Sequence, residues 1–386
     1  MNGLYMDNGA TSFPKAPGVA EAVFNYLKYI GASVNRGAYD ASYASENTVY
    51  ETRELLCQLF NFHHPENVVF TKNITESLNV ILKGFLEPGD HVIVSSMEHN
   101  AVMRPLNQLR TQNVQYSKIP CDNKGRLCLE KVLPLIKPTT KAFVMTHASN
   151  VCGAILDIEA ISKISQAHAI PLIIDTAQTA GLISIDNQKL KADAITFTGH
   201  KSLLGPQGIG GFILSQRMAS ETSHLIEGGT GSLSDTEFQP EYMPDKFEAG
   251  TPNVPGIYGL NTSLKYLLDT GIHNIYQKEM ALTGRFLNAL SSIPGIDIIG
   301  EATLKNRTGI VSIDFQHHDN GRVAHALSKE YGIMTRSGLH CAPSAHETLG
   351  TFPKGTVRFG LSHFLTPSDI DRAIDAVLAL SKREVI

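Results

Sequence analysis

The stretch "AITFTGHKSLLGPQGIGGFIL", residues 194–214, places a lysine in a glycine-containing turn between two apolar segments. The leading "AITF" and the trailing "IGGFIL" are short apolar runs, and such runs predict buried strands. Gly199 and Gly205 permit a tight backbone between these two strands. Lys201 in this turn is either a solvated surface charge or a nucleophile held at a strand end, and the rest of the sequence has to decide between the two interpretations.

Short apolar runs alternate with longer helical patterns from about residue 65 to residue 215. Strands that alternate with helices predict right-handed crossovers and a mostly parallel sheet that is covered on both faces. The segments "ESLNVILKGFLEPGD" and "DIEAISKISQAHA" predict two of these helices. Besides the two strands around Lys201, the predicted strands are "NVVFT" (67–71), "DHVIVSS" (90–96), "KAFVMT" (141–146) and "IPLIID" (170–175).

The pattern changes from about residue 256 onwards. Two segments, "GIYGLNTSLKYLLDTG" and "NIYQKEMALTGRFLNALSSI", predict helices, and "GIVSIDF" and "GTVRFGL" predict strands. The last segment predicts a helix with Thr366 as its N-cap, Pro367 as its first residue and Asp369 as an acid in its first turn. The sequence therefore predicts a large α/β domain followed by a smaller α+β domain.

Composition and charge are those of an ordinary globular protein, with 386 residues, 42% hydrophobic and 18% charged. The net charge is -4 and the basic residues are scattered, which argues against binding to nucleic acid or to an anionic membrane surface. No apolar run approaches the ~18 residues that span a bilayer. The opening "MNGLYMDNGATSF" has neither the basic start nor the apolar core of a signal peptide, so we expect a cytoplasmic protein.

The cysteines do not form a recognisable framework. Their number is odd, their spacing is irregular and no CxxC pair occurs, which argues against a disulfide scaffold and against a zinc site. We expect them to be reduced, and most of them to be packing residues. They are Cys57, Cys121, Cys128, Cys152 and Cys341.

Asp175 and Lys201 together indicate a cofactor. Asp175 ends a predicted strand, at the edge where open α/β sheets bind ligands. An aspartate in this position is more often a helix N-cap, but it can also hold the protonated ring nitrogen of pyridoxal 5'-phosphate (PLP). PLP also requires a lysine for covalent attachment. Lys201 comes 26 residues later, after the next predicted strand, so both side chains are expected at one sheet edge.

Other polar residues follow predicted strands at the same edge. Thr198 and His200 carry polar groups suited to a phosphate. In "TKNITESLNVILKGF", Asn73 and Glu76 predict a capping box, whereas Thr75 with the free backbone N–H groups of a helix start equally suits a phosphate, and the residues alone leave both open. His99 in "SSMEHNAVMRPL" and Asn150 in "HASNVCGAILD" are placed similarly. A lone histidine is more often structural, although at this edge it can stack on a ring and carry protons.

Taken in order, these motifs resemble the class V aminotransferase-type PLP enzymes of fold type I and, among them, the cysteine desulfurases. The resemblance runs nearly from end to end, and the order of the motifs is more specific than any one of them. It implies a large PLP-binding domain over residues 15–255 with a mostly parallel seven-stranded sheet, a small domain over 256–386, and an N-terminal segment, 1–14, packed on the small domain. The matching motifs are "YMDNGAT", "MEHNAVMRPL", "HASNVCGAILDI", "IIDTAQTAG", "TGHKSLLGPQGIG", "FEAGTPNVPG" and "RSGLHCAP".

The resemblance also implies a role for each matching residue. Lys201 would attach PLP, Asp175 would pair with its pyridine nitrogen, and Gln178 would bond its phenolic oxygen. His99 would stack on the ring. The implied phosphate ligands are Thr75, Thr198, His200 and, from a neighbouring subunit, Thr251 in "EAGTPN", so that a homodimer is implied. The implied ligands of the substrate carboxylate are Asn150 and Arg358 in "GTVRFG".

Cys341 lies in "RSGLHCAPSAHETLG", a Gly-, Pro- and His-containing loop, with Arg336 and His340 nearby to favour its thiolate. It matches the family's sulfur-accepting cysteine. The implied reaction converts L-cysteine to L-alanine and leaves the sulfur on Cys341 as a persulfide, with Lys201 removing the Cα proton and His99 carrying a proton. The short run from Cys341 to Arg358 resembles the desulfurases with a short cysteine loop, which implies a separate sulfur-acceptor protein.

Several positions depart from the family pattern, and they leave the substrate and the partner open. Ile74 stands where a small hydroxyl residue or glycine is usual, and Asn35 stands where a histidine is common. Gly9 replaces a usual alanine, and Leu365 replaces a usual asparagine. A selenocysteine lyase would use nearly the same site. An aminotransferase, an epimerase or a kynureninase-like enzyme would not need Cys341, and a catalytically silent scaffold or sulfur relay would not need Lys201.

Overall fold

Strands and helices alternate along the chain much as the sequence predicts. The structure is a computed structural model that describes residues 3–35 and 37–384. Its strands are β1 (Leu4–Tyr5), β2 (Val68–Thr71), β3 (His91–Ser95), β4 (Gln115–Ile119), β5 (Thr140–Thr146), β6 (Leu172–Asp175), β7 (Ala194–Thr198), β8 (Gly210–Leu214), β9 (Ile296–Ile299), β10 (Ile310–Phe315), β11 (Ile333–Met334), β12 (Arg336–Gly338) and β13 (Thr356–Gly360). Its α-helices are α1 (Val19–Asn25), α2 (Asp40–Phe60), α3 (Ile74–Phe85), α4 (Asn100–Leu109), α5 (Ile158–His168), α6 (Asn187–Leu190), α7 (Gln216–Glu221), α8 (Val254–Thr270), α9 (Ile272–Leu290), α10 (Asn320–Tyr331), α11 (Pro343–Thr348) and α12 (Pro367–Ser381).

Within the described residues, seven strands form the main sheet in the order β2-β8-β7-β6-β5-β3-β4. The strands from β3 to β7 pair in parallel, as predicted, whereas β8 runs antiparallel to both β7 and β2. A short turn without a helix joins β7 to β8, and such a connection can join only antiparallel neighbours. The sequence missed β4, "QYSKI", because this edge strand is half-exposed and not continuously apolar.

Helices cover both faces of this sheet, which is why its central strands are apolar on both sides. One face packs Phe60, Phe143 and Phe197 into a core, and the other packs Leu78 and Phe212 into a second core. Each of these side chains is fully buried, and burial of a large apolar side chain stabilises a fold by about 1.5–3 kcal/mol. None of the described helices is long and apolar enough to cross a membrane.

The last third of the chain forms an antiparallel sheet in the order β12-β13-β10-β9. Phe286 of α9 packs on Phe359 of β13 in its core, with ring centroids 5.1 Å apart. Strand β1 pairs in parallel with β11, so the start of the chain lies beside this small sheet. The small sheet has its own hydrophobic core, separate from the cores that pack against the main sheet.

The division into residues 1–14, 15–255 and 256–386 stays a prediction, and residues 1–2 and 385–386 lie outside the described residues. Helix α8, which the sequence assigned to the small domain, contributes Leu260 and Leu264 to the core of the main sheet. Packing therefore ties α8 to the large unit, although the change of pattern along the chain begins with it.

The start of α12 is the one that the sequence predicts. Thr366 Oγ1 accepts a hydrogen bond from the Asp369 amide at 3.2 Å, and Asp369 Oδ2 accepts one from the Thr366 amide at 2.9 Å. This reciprocal capping box satisfies two backbone donors that a helix start otherwise leaves without partners.

Replacement of Thr366 by alanine is expected to lower the free energy of unfolding by about 1 kcal/mol, because the substitution removes the cap. The midpoint of urea unfolding measures this loss. Ser368→Ala in the same turn is the control, since the Ser368 side chain makes no hydrogen bond within residues 3–35 and 37–384. Equal midpoints for the two variants would show that the capping box does not contribute to stability.

Candidate active site

A cavity of about 250 Å³ opens at the carboxyl edge of the parallel strands. It brings together eight of the residues that the sequence singled out: Thr75, His99, Asn150, Asp175, Gln178, Thr198, His200 and Lys201. Thr146, which ends β5, also lines the cavity and was missed, although its place at the end of a predicted strand could have identified it. The strand-end rule therefore predicts most of this lining from the sequence.

Lys201 lies in the turn between β7 and β8, and backbone hydrogen bonds close this turn. The Gly205 amide donates to the Gly199 carbonyl at 2.8 Å, and the Leu204 amide donates to the Lys201 carbonyl at 2.8 Å. A Cβ on Gly199 would lie 2.8 Å from Ile209 Cγ2, so this position needs glycine for close approach. Burial lowers the pKa of Lys201 to about 8, although the nearby Asp175 carboxylate partly opposes the shift.

Asp175 ends β6 and is 3% exposed. Its Oδ1 accepts one hydrogen bond from the Ala177 amide at 2.9 Å, and no other donor to this carboxylate is found among the described residues. Burial raises the pKa of Asp175, and the charge of Lys201 partly lowers it again. A buried carboxylate with one hydrogen bond is under-satisfied, so a protonated ring nitrogen in the cavity would fit it.

The cavity has a second polar end at the start of α3. Thr198 Oγ1 and His200 Nδ1 are buried there and have no hydrogen-bond partner among the described residues. Burial, together with the charges of Lys201 and Lys15, lowers the pKa of His200 to about 4, so its imidazole is neutral near pH 7. Orphaned buried polar atoms are costly, and the oxygens of a phosphate group would satisfy them.

The start of α3 is capped, as one of the two interpretations of the sequence predicts, and it also brings Thr75 to the cavity. Asn73 Oδ1 accepts a hydrogen bond from the Glu76 amide at 3.0 Å and so caps the helix. The Glu76 carboxylate accepts from the amide of Lys72 rather than from that of Asn73, so the capping box is shifted by one residue. Thr75 meanwhile lines the cavity, next to Thr198 and His200.

His99 is both a structural cap and a residue of the cavity. Its Nδ1 accepts a hydrogen bond from the Ala101 amide at 3.0 Å, at the start of α4. The proton of the neutral ring is therefore on Nε2. Burial lowers the pKa of His99 to about 3, and the charges of Lys201, Arg336 and Arg358 add to this shift. The ring is therefore neutral near pH 7. It can donate one hydrogen bond through its N–H group, and its ring face carries no charge.

Arg358 on β13 approaches the cavity from the small domain. It is 1% exposed, and its guanidinium donates to the Asn150 carbonyl at 3.0 Å and to Asp7 Oδ1 at 2.9 Å, while Nε has no partner in the described part of the chain. The sequence analysis did not identify Asp7 as a site residue. The only indication was that the opening motif contains an acidic residue. Gly9 stands where the family usually has alanine. A Cβ on Gly9 would lie 3.1 Å from the guanidinium carbon of Arg358.

Cys341 is exposed and lies in a turn beside the cavity. His340 and Cys341 have φ angles of 49° and 59°, in the left-handed region that L residues rarely adopt. The turn is held by the Asn100 amide, which donates to the Cys341 carbonyl at 2.8 Å, and by Asn150 Nδ2, which donates to the His340 carbonyl at 2.7 Å. Arg336 Nη2 lies 3.6 Å from the Cys341 sulfur. Asn150 thus links the Cys341 turn to Arg358.

Thr251 is the one predicted site residue that the fold places apart from the others. It is exposed and lines two surface pockets, with Arg53 and Glu248 in one of them, rather than the cavity around Lys201. Its implied role requires a second subunit and stays a prediction.

Known proteins are similar to this chain in sequence and in fold. A family model described as aminotransferase class-V matches residues 4–373. A relative named as a probable cysteine desulfurase of Methanothermobacter thermautotrophicus is 32% identical over 371 residues, which cover 95% of this chain and 92% of the relative. The solved apo structure of a cysteine desulfurase from Thermococcus onnurineus is similar with a TM-score of 0.92 and 29% identity, over 98% of this chain and 95% of that one. The cysteine desulfurase CsdA from Escherichia coli gives a TM-score of 0.87 and 28% identity, over 97% and 94%. The predicted fold is thereby confirmed.

Lys201 is expected to titrate near pH 8 in the apoprotein, because burial disfavours its charged form. Only the neutral amine is acylated, so the lowered pKa moves the onset of labelling below the ~10.4 of an ordinary lysine. Competitive labelling with acetic anhydride across this pH range, read by peptide mass spectrometry, measures the midpoint. Free Nα-acetyl-lysine is the internal standard, and a Lys201 midpoint equal to that of the standard would refute the prediction.

Proposed function

This chain belongs to the class V aminotransferase family, and we propose that it is a PLP-dependent cysteine desulfurase that converts L-cysteine to L-alanine. The sulfur is retained on Cys341 as a persulfide. The observation that carries the proposal is the exposed Cys341 thiol beside Arg336, in a turn that is bonded at the His340 carbonyl by Asn150, which lines the cavity together with Lys201 and Asp175.

The residues present fit PLP at both ends of the cavity. Asp175, with its single hydrogen bond, suits the ring nitrogen, and the unpartnered Thr198 Oγ1 and His200 Nδ1, with Thr75, suit the phosphate. His99 would stack on the ring. Gln178, whose amide donates to the Gly9 carbonyl at 3.0 Å, has a second N–H for the phenolic oxygen. When it is bound to Lys201, PLP supplies an electron sink for the bonds around the substrate Cα.

The substrate is held by one group from each of the two units, Asn150 from the large one and Arg358 from the small one. We assign its carboxylate to Arg358 and Asn150. The guanidinium of Arg358 is already oriented by Asp7 and by the Asn150 carbonyl, and its unpartnered Nε remains to be satisfied. A buried arginine that neighbouring groups hold in place loses little conformational freedom on binding a carboxylate.

Lys201 and His99 are the groups that hold or move protons. With its pKa near 8, about one Lys201 amine in ten is neutral at pH 7, compared with roughly one in 3,000 for an ordinary lysine. Lys201 can therefore take the Cα proton at neutral pH. His99, which is neutral with its proton on Nε2, can hold the substrate side chain through an Nε2–H hydrogen bond, and Lys201, once it carries the Cα proton, is the acid that can return it.

Sulfur transfer belongs to Cys341. Its thiolate attacks the substrate sulfur, a bond forms between the two sulfurs, and the substrate Cβ–S bond breaks. The electron pair of that bond stays with the substrate carbon, which is protonated to give alanine. Arg336 Nη2, 3.6 Å from the sulfur, donates a hydrogen bond that orients it for the attack. Because Cys341 is exposed, an external thiol or a sulfur-acceptor protein can then remove the sulfur.

We further infer a homodimer, in which Thr251 completes the phosphate site of the neighbouring subunit. Thr251 is exposed and lies outside the cavity of its own chain, as this role requires. The pocket beside it is lined by the buried Arg53–Glu248 ion pair, which gives this face a rigid base.

Cys341→Ser is expected to abolish sulfide release from L-cysteine in the presence of dithiothreitol, while the yellow absorption of bound PLP is retained. The reason is that serine keeps the shape of the turn but cannot accept sulfur. Sulfide and alanine are measured together for the wild type and the variant. Cys128→Ser, at a half-buried cysteine outside the cavity, is the control and should keep full activity. Full activity of Cys341→Ser would overturn the proposal.

Lys201→Ala is expected to lose the absorption band of covalently attached PLP and to lower the rate of alanine formation by at least ~10³-fold, because both the attachment point and the base are removed. Borohydride reduction followed by peptide mass spectrometry should find PLP on Lys201 in the wild type. If the reduced cofactor were found on another lysine, Lys201 would not be the attachment point.

A further inference from the structure

Four hydrogen-bond donors converge on one backbone carbonyl, the one that directly precedes Lys201. The carbonyl oxygen of His200 accepts from the Ser12 amide at 2.8 Å and from Ser12 Oγ at 3.1 Å. It also accepts from Thr11 Oγ1 at 3.0 Å and from Lys15 Nζ at 3.0 Å. A carbonyl oxygen has two lone pairs, so the capacity of this oxygen to accept hydrogen bonds is fully used. Residues of the N-terminal segment, which lie outside the turn, therefore hold the peptide group between His200 and Lys201.

The ammonium group of Lys15 uses all three of its donors at this point. Besides the His200 carbonyl it reaches Ser12 Oγ at 3.1 Å and Thr11 Oγ1 at 3.3 Å. Within residues 3–35 and 37–384 it has no carboxylate partner, although it is partly buried and burial lowers its pKa to about 8. A desolvated cation without a counter-ion is unfavourable, and the three hydrogen bonds offset this cost. Lys15 does not line the cavity, so it acts on the site from outside it, through the His200 carbonyl and through its charge, which lowers the pKa of His200.

The same N-terminal segment holds the far end of the turn. The Ala16 amide donates to the Leu204 carbonyl at 3.0 Å. Leu204 has a φ of 59°, in the left-handed region that a residue with a side chain seldom adopts. Residues 11–16 thus contact the turn on both sides of Lys201, at His200 and at Leu204. A backbone in a sparsely populated conformation persists only where its surroundings over-determine it, as they do here.

We propose that Lys15 is a positioning residue for Lys201, acting through the carbonyl of His200. This inference rests on the proposed function, because it takes Lys201 as the PLP lysine. The held peptide group has the imidazole of His200 on one side and the side chain of Lys201 on the other. Any rotation of this group would move the phosphate ligand and the base together, and a misplacement of about 1 Å can cost ~10² in rate.

The test compares full-length Lys15→Met with wild type, both loaded with PLP. Methionine keeps the length and apolar stem of the lysine but removes the ammonium. Thr11 and Ser12 still bond the carbonyl, so the thermal midpoint should change little. We expect PLP to dissociate roughly tenfold faster, and kcat for L-cysteine to fall roughly tenfold with KM within about twofold, as the loss of one charge-assisted hydrogen bond would produce.

Lys354→Met is the matched control. Lys354 Nζ also donates to a backbone carbonyl, that of Phe315 at 2.8 Å, but in the small sheet and away from the cavity. It should leave the PLP dissociation rate and kcat at wild-type values. A purely structural role of Lys15 would lower the thermal midpoint without the separate change in kcat.

Lys15→Met with wild-type PLP dissociation and wild-type kcat would overturn the inference and leave the proposed function intact. A wild type that binds no PLP would instead overturn the proposed function, and the inference with it. If Lys15→Met does not fold, Thr11→Val removes another donor to the same carbonyl with little change of shape and is judged by the same two rates.

Discussion

The parallel pairing of β5, β6 and β7 is the constraint on which the site depends. In this register Thr146 lies opposite Asp175, and Asp175 lies opposite Thr196. Parallel neighbours end at the same edge, so the segments that follow them deliver Asn150, Gln178 and Lys201 to one cavity. Antiparallel neighbours would send alternate segments to opposite edges. Strand β8 runs antiparallel to β7 and closes the turn that carries Lys201. The closing hydrogen bond runs from the Gly199 amide to the Ile209 carbonyl.

Burial then sets the charge state of the groups at that edge. It lowers the pKa of Lys201, His99 and His200 and raises that of Asp175, so that each shift disfavours the charged form. The cavity therefore holds neutral imidazoles and a lysine that titrates near neutrality. Such groups can exchange protons and accept a charged ligand at little cost, whereas four fully charged side chains in the same volume would repel or pair with one another.

The N-terminal segment connects the two halves of the site. Its strand β1 pairs with β11 in a separate two-stranded sheet, and Asp7 orients Arg358 of the small four-stranded sheet. A few residues later, the Gly9 carbonyl accepts from Gln178, and Lys15 reaches the carbonyl before Lys201 in the large unit. One short stretch of chain thus contacts the arginine assigned to the substrate and the turn assigned to the cofactor. The position of Arg358 relative to the Lys201 turn therefore depends on this stretch as well as on the packing of the two cores.

Local signals in the sequence determined six strands of the main sheet, the starts of α3 and α12 and most of the cavity lining, because these depend on residues within a few positions of one another. The apolar runs located β2, β3 and β5 to β8, Thr366 and Asp369 located the start of α12, and the strand-end rule located Asp175 and Lys201. Edge strand β4 was missed because an exposed edge does not require continuous apolar residues. The sequence placed Arg336 near Cys341, and the structure adds the 3.6 Å distance between Arg336 Nη2 and the sulfur. Only the tertiary structure decided that Asp7 meets Arg358 and that Lys15 meets the carbonyl of His200. These two contacts join polar groups that lie far apart in the chain, and such contacts leave no periodic pattern in the sequence; they exist because two separately packed cores and one connecting segment bring those groups together.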